Sequence, residues 1–299
     1  MLYGIIQLNY FIIRRSNHVE WNYSAELFAF SARLGEQIPS KLLEDVFTTE
    51  GYIEAEKEKY AQLNIQDISL QMKSNKNLAN KGEDILESVV SSWLRGAFPA
   101  LPEEGIQAVK EYLLSEETLA EVSFHIGAKD LIQSIEYPPL RETFAQTFKA
   151  VVGALNTCSG EARAEKFIRE ILIAQLEGKD INSIWEISNP MRVLSILLQN
   201  MKMEAPEPRL LWQSGPKTLL SSFIVGIYSD KKLIGQFAGE SVEVAEEMAA
   251  RDALRRLFKT TDCMKPLPVH SPSISSTKPN KSIQDWRIED QPNIVNLSS

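Results

Sequence analysis

The sequence is poor in the residues that build disulfide frameworks and metal clusters. Its 299 residues include two cysteines and three histidines. The cysteines, Cys158 and Cys263, lie far apart without CxxC spacing, so the sequence supports neither a disulfide framework nor a zinc site. The histidines are scattered through the chain and form no ligand pattern with them. We therefore expect no metal ion and no other cofactor.

A membrane-length apolar run and a positive net charge are also missing. The apolar run at residues 2–13 is shorter than the roughly 20 residues that a membrane-spanning helix needs, so we expect no membrane span. The net charge is −8 and the isoelectric point is about 5.2. Such a chain has no overall field that attracts phosphate, which argues against a free-standing nucleic-acid binder.

Two segments of the sequence carry helical patterns. Residues 74–94 read SNKNLANKGEDILESVVSSWL, with apolar residues at the i, i+1, i+4, i+5 and i+8 spacing of one buried helical face. These residues are Ile85, Leu86, Val89, Val90, Trp93 and Leu94. Residues 142–160 read ETFAQTFKAVVGALNTCSG and end on Ser159 and Gly160, a typical helix stop. Both segments are predicted to be core helices.

Taken together, the two segments resemble ribonuclease III. The first segment and the residues after it match the frame of that family at Asn75, Leu78, Gly82, Leu86, Phe98-Pro99 and Leu101-Pro102. The second segment follows the family pattern D-x-x-E-A-x-x-G-A from Gln146 to Ala154, without its acids. The resemblance implies an all-helical, ribonuclease III-like domain, which we place at residues 21–186.

The resemblance puts four metal-ligand positions at Ala79, Glu83, Gln146 and Lys149. Hydrolysis of a phosphodiester by two metal ions needs several hard oxygen ligands that converge on Mg²⁺. A methyl group cannot ligate a metal, Gln146 offers a neutral amide, and Lys149 places an ammonium where the cation would sit. One acid, Glu83, is left. We therefore predict a nuclease fold without nuclease activity, in which these four positions are vestigial.

A second pattern begins at Asn189. A short helix opened by Pro190 is followed by three strand-like runs and a final alanine-rich helix, for which Ser241 is a natural N-cap. The runs are Arg209–Gln213, Phe223–Tyr228 and Leu233–Phe237. The order α-β-β-β-α, with Gly-Pro after the first strand and A-E-x-x-A-A-x-x-A-L in the last helix, resembles a double-stranded-RNA-binding domain. We place this small α+β domain at residues 187–260, so the expected fold class is mainly α.

This module has lost part of the RNA-contacting chemistry that the resemblance implies. Its family carries paired lysines at the start of the last helix, and Val242 and Glu243 stand at those positions here. A carboxylate repels phosphate, so we expect a duplex affinity below that of a typical module. Other positions are candidate RNA contacts, although the basic ones are equally typical of solvated charges. The candidates are Lys217, Ser241, Arg251, Arg255, Arg256 and Lys259.

A ribonuclease III-like domain followed by one such module, both without their usual chemistry, resembles the protein 44 family of the mitochondrial large ribosomal subunit. The resemblance covers roughly residues 24–260. Further matches are the opening segment SAELFAFSARLGE, the Asn189-Pro190 junction and the run DKKLI at residues 230–234. The family implies an architectural role on the ribosome of the mitochondrial matrix. The implied partners are mitochondrial rRNA and other large-subunit ribosomal proteins.

The two ends of the sequence fall outside the resemblance. Residues 1–20 are poor in acids and carry Arg14 and Arg15, which makes them a candidate mitochondrial targeting segment. A shortened or alternative start has the same appearance. Residues 261–299 are rich in Pro, Ser, Asn and Lys and lack an apolar period. We predict that this tail is disordered in isolation and becomes ordered only against a partner.

Alternatives to the structural role stay open at the level of sequence. Asp84 and Glu87, beside Glu83, offer displaced acids for an active or partner-dependent double-stranded-RNA endoribonuclease. A free RNA-binding regulator is a third hypothesis. Ribonuclease III domains bury a helical face against another copy, and such a face could here meet the chain itself, a paralogue or another ribosomal protein. The candidates are Phe28, Phe30, Leu34 and residues 155–171. We favour a structural ribosomal component in which these residues belong to the chain's own core.

Overall fold

The computed structural model of the chain is mostly helical, with a small antiparallel sheet near its C-terminal end. It describes residues 19–63, 72–216, 218, 220–261 and 276–287. The helical content and the small three-stranded sheet confirm the predicted fold class, mainly α with a small α+β domain. The chain divides into two compact units, residues 1–87 with 114–172 and residues 88–113 with 173–299. The sequence-based boundary between residues 186 and 187 stays a prediction about domain limits.

The elements of the described residues follow one another in the order that the two patterns imply. The helices are α1 (Tyr23–Leu34), α2 (Ser40–Phe47), α3 (Glu50–Gln62), α4 (Lys76–Ala97), α5 (Glu103–Leu114), α6 (Glu116–His125), α7 (Arg141–Ser159), α8 (Glu161–Ile171), α9 (Ile181–Ile184), α10 (Pro190–Asn200) and α11 (Val242–Leu257). The strands are β1 (Glu207–Ser214), β2 (Ser222–Ser229) and β3 (Lys232–Gly239). A 3₁₀ helix at Ile173–Leu176 follows α8.

Helix caps and a buried aromatic pair organise the start of the first unit. Helix α1 begins after Asn22, whose side chain accepts a hydrogen bond from the backbone N–H of Ala25. It ends at Gly35, which has a φ of +67°, a conformation that glycine adopts without strain. Phe30 of α1 and Phe47 of α2 are fully buried and meet edge to face, with ring centroids 5.0 Å apart. This contact anchors α1 on α2.

Helices α4 and α7 cross with almost no side-chain volume between them. A Cβ placed on Gly82 of α4 would lie 1.8 Å from the backbone oxygen of Lys149. A Cβ placed on Gly153 of α7 would lie 2.1 Å from the backbone oxygen of Leu78. Glycine is the one residue that permits such a close approach of two backbones. The crossing therefore explains why both predicted helices carry a glycine at this level.

The second unit contains the predicted α-β-β-β-α module. The sheet has the order β1-β2-β3 with both pairs antiparallel, and each predicted strand lies inside an observed one. Asp230 and Lys231, with φ values of 49° and 64°, form the two-residue turn between β2 and β3. Gly235 and Gly239 of β3 lie directly against the alanine face of α11. Small residues on both sides let the helix pack close to the sheet.

Residues 276–287 differ from the prediction of a disordered tail. Trp286 is 1% exposed, and its Nε1 donates a hydrogen bond to the Ala100 carbonyl at 2.9 Å. Its ring lies edge-on to Phe258, with centroids 5.7 Å apart. The prediction is wrong for these residues. It is based on the polar composition of the tail, which does not show that a single large side chain, Trp286, is buried against the rest of the chain. Residues 262–275 and 288–299 of the tail, and residues 1–18 of the candidate targeting segment, lie outside the described residues.

The described parts of the chain bear on the expectations about a membrane span and about the cysteines. None of their helices combines the length and the apolar character needed to cross a membrane. Cys158 is a free, exposed thiol. Cys263 lies outside the described residues.

We predict that Gly82→Ala destabilises the protein, because the added methyl group must push the backbones of α4 and α7 apart. Overpacking of this kind costs about 3 kcal/mol, more than the gain of about 1 kcal/mol that alanine brings to a helix. Urea unfolding followed by circular dichroism measures the change in the free energy of unfolding.

Gly51→Ala is the matched control. Gly51 also lies inside a helix, but its Cβ would meet only the side chain of Ile135, at 3.3 Å. We expect the free energy of unfolding of this variant to stay within about 1 kcal/mol of the parent value. Equal losses in the two variants would speak against the close crossing.

Candidate functional site

The crossing of α4 and α7 brings the four predicted ligand positions to one place. Ala79 and Glu83 lie one turn apart on α4, and Gln146 and Lys149 lie nearly one turn apart on α7. The Nζ of Lys149 donates a hydrogen bond to the Oε1 of Glu83 at 2.6 Å. The two side chains are 25% and 50% exposed, so the pair contributes about 1 kcal/mol or less to stability. The ion pair matters because it engages Glu83, the one acid left at the four predicted ligand positions.

A buried asparagine holds Gln146 in place. Asn75, just before α4, is fully buried, and its Oδ1 accepts a hydrogen bond from the Nε2 of Gln146 at 3.0 Å. The Nδ2 of Asn75 donates to the Val46 carbonyl at 3.2 Å, and its backbone N–H donates to the Thr48 carbonyl at 3.0 Å. Since the Asn75 amide is fixed in this way, its oxygen needs a donor, which a glutamine supplies and an ionised carboxylate cannot.

The donor set at the crossing does not fit a divalent cation. Mg²⁺ requires oxygen ligands in near-octahedral geometry, and carboxylates supply the necessary negative charge. The crossing offers Glu83, which is bonded to an ammonium, and the buried methyl group of Ala79. Asp84 and Glu87 are exposed on α4. Across the described ranges, no group of three or more His, Cys, Asp or Glu side chains is arranged to hold a metal ion.

The start of α11 presents negative charge where the resemblance implies a lysine. Ser241 is the N-cap, and its side chain accepts a hydrogen bond from the Val244 N–H at 3.2 Å. The pKa of Glu243 is lowered, first because its own backbone N–H bonds the carboxylate and then because the Ser241 hydroxyl does. Glu243 is therefore ionised at neutral pH. Its charge suits the positive end of the helix dipole and opposes an approaching phosphate.

The three arginines predicted as RNA contacts are paired with carboxylates. The pairs are Arg251 with Glu186 and Glu247, Arg255 with Asp180, and Arg256 with Asp252, at N–O distances from 2.9 to 3.6 Å. A phosphate would have to displace these carboxylates. Lys259 is exposed just beyond α11, whereas Lys217 lies outside the described residues. RNA contact at these positions stays a prediction.

The sequence does not reveal which side chains pair with one another at these sites. Gln146 and Asn75 are 71 positions apart, and Lys149 and Glu83 are 66 positions apart. The two phenylalanines of α1 that are candidates for pairing with another copy differ in their exposure. Phe28 is 75% exposed, whereas Phe30 is buried in the chain's own core.

Two family models match the chain in the order of its two patterns. A model described as "Large ribosomal subunit protein mL44, endonuclease domain" matches residues 22–155. A second model, described as "MRPL44 dsRNA-binding domain", matches residues 185–287. The second match includes residues 276–287, the packed part of the tail. The two matches agree with the resemblance that the motifs indicate.

Curated relatives come from the same two groups of proteins. The large ribosomal subunit protein mL44 of Caenorhabditis elegans is 31% identical over 252 residues, which cover 83% of this chain. The chain spans 63% of the length of that relative. Ribonuclease 3 of Bdellovibrio bacteriovorus is 28% identical over 194 residues, which cover 63% of this chain and 82% of that enzyme.

A solved structure provides a more distant comparison. The nuclease domain of ribonuclease III from Campylobacter jejuni is 16% identical and superposes with a TM-score of 0.40. The alignment covers 53% of this chain and 97% of that domain. At this level of similarity, no role of an individual residue can be transferred.

We predict that Gln146→Glu lowers the free energy of unfolding by about 2 kcal/mol at neutral pH, because an ionised carboxylate then faces the buried Asn75 oxygen. Below a pH of about 4 the new carboxyl is protonated and can donate again, so the difference from the parent protein should shrink. Urea unfolding of both proteins across this pH range measures the difference.

Gln62→Glu makes the same chemical change at an exposed position on the last turn of α3. We expect its effect to stay within about 0.5 kcal/mol. If Gln146→Glu proves as mild as this control, the hydrogen bond to Asn75 does not hold the crossing.

Proposed function

The chain belongs to the mL44 family of large ribosomal subunit proteins, and we propose that it is a non-catalytic, structural component of the large subunit of the mitochondrial ribosome. In this role it docks mitochondrial rRNA and neighbouring large-subunit proteins in the matrix. The chain spans 63% of the length of its C. elegans relative.

The ion pair between Lys149 and Glu83 is the observation that carries the non-catalytic part of the proposal. Metal-assisted hydrolysis depends on carboxylates that are free to bind and orient cations. At this crossing the single carboxylate is bonded to an ammonium at 2.6 Å, and the neighbouring amide is tied to Asn75. We infer that the ligand set of the ribonuclease III resemblance is lost, and that these residues serve to hold α4 against α7.

The charge distribution of the module supports a docking role over free duplex binding. Duplex binding draws its free energy largely from cations that displace counterions from phosphates. Here Glu243 occupies the start of α11, and the arginines of that helix are already paired with carboxylates. We propose that RNA contacts are few and local, with Lys217 and Lys259 as candidates. The rest of the binding free energy then comes from neighbouring proteins.

We predict that the chain co-sediments with the large ribosomal subunit when a mitochondrial extract is run on a sucrose gradient. We also expect purified protein to leave duplex RNA intact in the presence of Mg²⁺ or Mn²⁺, because the crossing has one carboxylate and it is paired. Immunodetection across the gradient and gel analysis of labelled RNA are the two measurements.

Different outcomes would support the alternatives. Metal-dependent cleavage that disappears on Glu83→Ala would identify an active endoribonuclease. Migration apart from the large subunit, combined with tight duplex binding at physiological salt, would identify a free RNA-binding regulator.

We predict that Glu243→Lys strengthens duplex RNA binding by about fivefold or more, because it exchanges a repelled charge for one that reaches phosphate. The slope of log affinity against log salt should steepen by nearly one for each additional phosphate that the protein neutralises. Fluorescence anisotropy with a labelled duplex at several salt concentrations measures both quantities.

Glu161→Lys is the matched control, because Glu161 is also a first-turn acid, at the start of α8 in the first unit. It changes the net charge by the same amount, and we expect less than a twofold effect on affinity. Equal gains in both variants would mean that overall charge, and not the start of α11, governs RNA binding.

A further inference from the structure

Residues 276–287, which we term the C-terminal strap, cap the end of α4. The Nδ2 of Asn280 donates hydrogen bonds to the carbonyls of Phe98 and Leu101 at 3.0 and 2.8 Å. The Phe98 carbonyl also accepts a hydrogen bond from the Leu101 N–H at 3.1 Å, so the bond from Asn280 is an additional one. One side chain of the strap therefore bonds two backbone carbonyls in the turn between α4 and α5.

The strap also forms hydrogen bonds with the first residues of α5. The backbone N–H groups of Asn280 and Ile283 donate to the carboxylates of Glu103 at 2.8 Å and Glu104 at 3.1 Å. The Glu103 N–H donates in return to the Lys281 carbonyl at 3.1 Å. Arg95 of α4 bonds the same Glu103 carboxylate, at 2.5 Å. The corner between α4 and α5 is thus held by backbone bonds in both directions.

The far end of the strap contacts the α-β-β-β-α module. Asn200, at the end of α10, donates to the Gln284 carbonyl at 2.7 Å. Trp286 packs on Phe258, the residue that follows α11, and Phe258 in turn packs on Trp185 at 5.7 Å between ring centroids. The strap therefore touches both helices of the module as well as the α4–α5 corner, all within the second unit.

We propose that the C-terminal strap is a clasp that makes the α4–α5 corner and the module one cooperative folding unit. Its polar residues bond backbone and carboxylate groups of the corner, and its buried Trp286 packs on Phe258. Releasing either end exposes unsatisfied backbone groups or an empty apolar site, so the two ends stabilise each other. A module clasped in this way is a rigid platform. The proposal stands whether or not the chain is ribosomal.

Hydrogen–deuterium exchange of the full chain, read by mass spectrometry, tests the clasp through Asn280→Ala. Asn280 bonds the corner and has no bond to α11, so a purely local cap would loosen the corner alone. If the strap is a clasp, exchange rises in residues 98–106 and also in residues 254–260, by about tenfold in each. Helix α7 of the first unit serves as the internal reference and should stay within about twofold.

Two further variants complete the experiment. Trp286→Ala removes both the ring that packs on Phe258 and the hydrogen bond to the Ala100 carbonyl, and should speed exchange in the same two segments. Arg287→Ala removes an exposed side chain at the end of the strap and should leave both unchanged. Faster exchange confined to residues 98–106 in Asn280→Ala, or no change in either segment, would overturn the proposal. Asn280→Ala decides the outcome even if Trp286→Ala fails to fold.

Discussion

The close crossing of α4 and α7 is the contact on which the chemistry of the first unit depends. Gly82 and Gly153 bring the two backbones to a separation at which neither position has room for a Cβ, so side chains on either side of the contact must meet. On one side Lys149 meets Glu83, and on another Gln146 meets Asn75. A scaffold of this kind can gather several carboxylates around small cations. Here the ammonium of Lys149 lies 2.6 Å from the Glu83 carboxylate, and we propose that it supplies the positive charge that a cation would otherwise bring.

In the second unit, too, basic side chains are paired with carboxylates of the chain itself. The arginines of α11 bond to carboxylates of their own unit, and the first turn of that helix carries an ionised glutamate stabilised by the helix N-terminus. These ion pairs connect α11 to carboxylates of its own unit, and RNA contact by the same arginines stays a prediction. A protein with a net charge of −8 and internally paired cations is suited to a place where neighbours fix its position. That physical description and membership of a ribosomal protein family agree.

The sequence allowed the local elements to be predicted, because each has a short-range cause. The apolar spacing of residues 85–94, the N-cap Ser241 and the Gly160 stop each appear in the structure where their patterns place them. The resemblance to ribonuclease III also led us to predict that Glu83 and Lys149 lie at the same site. Their hydrogen bond, and the role of Asn75, depend on a tertiary contact that no local pattern encodes. The C-terminal strap was missed for a related reason, since its order comes from Trp286 and Asn280 meeting distant backbone groups in a polar segment.

A titration with Mn²⁺ followed by nuclear magnetic resonance tests most directly whether the crossing already holds its own cation. Bound Mn²⁺ broadens the amide signals of nearby residues by paramagnetic relaxation. If Lys149 fills the cation position, the signals of residues 79–83 and 146–149 broaden no more than those of exposed residues elsewhere in the chain. Selective broadening of these signals at micromolar Mn²⁺, abolished by Glu83→Ala, would contradict the idea that this scaffold has exchanged its metal ions for an ammonium.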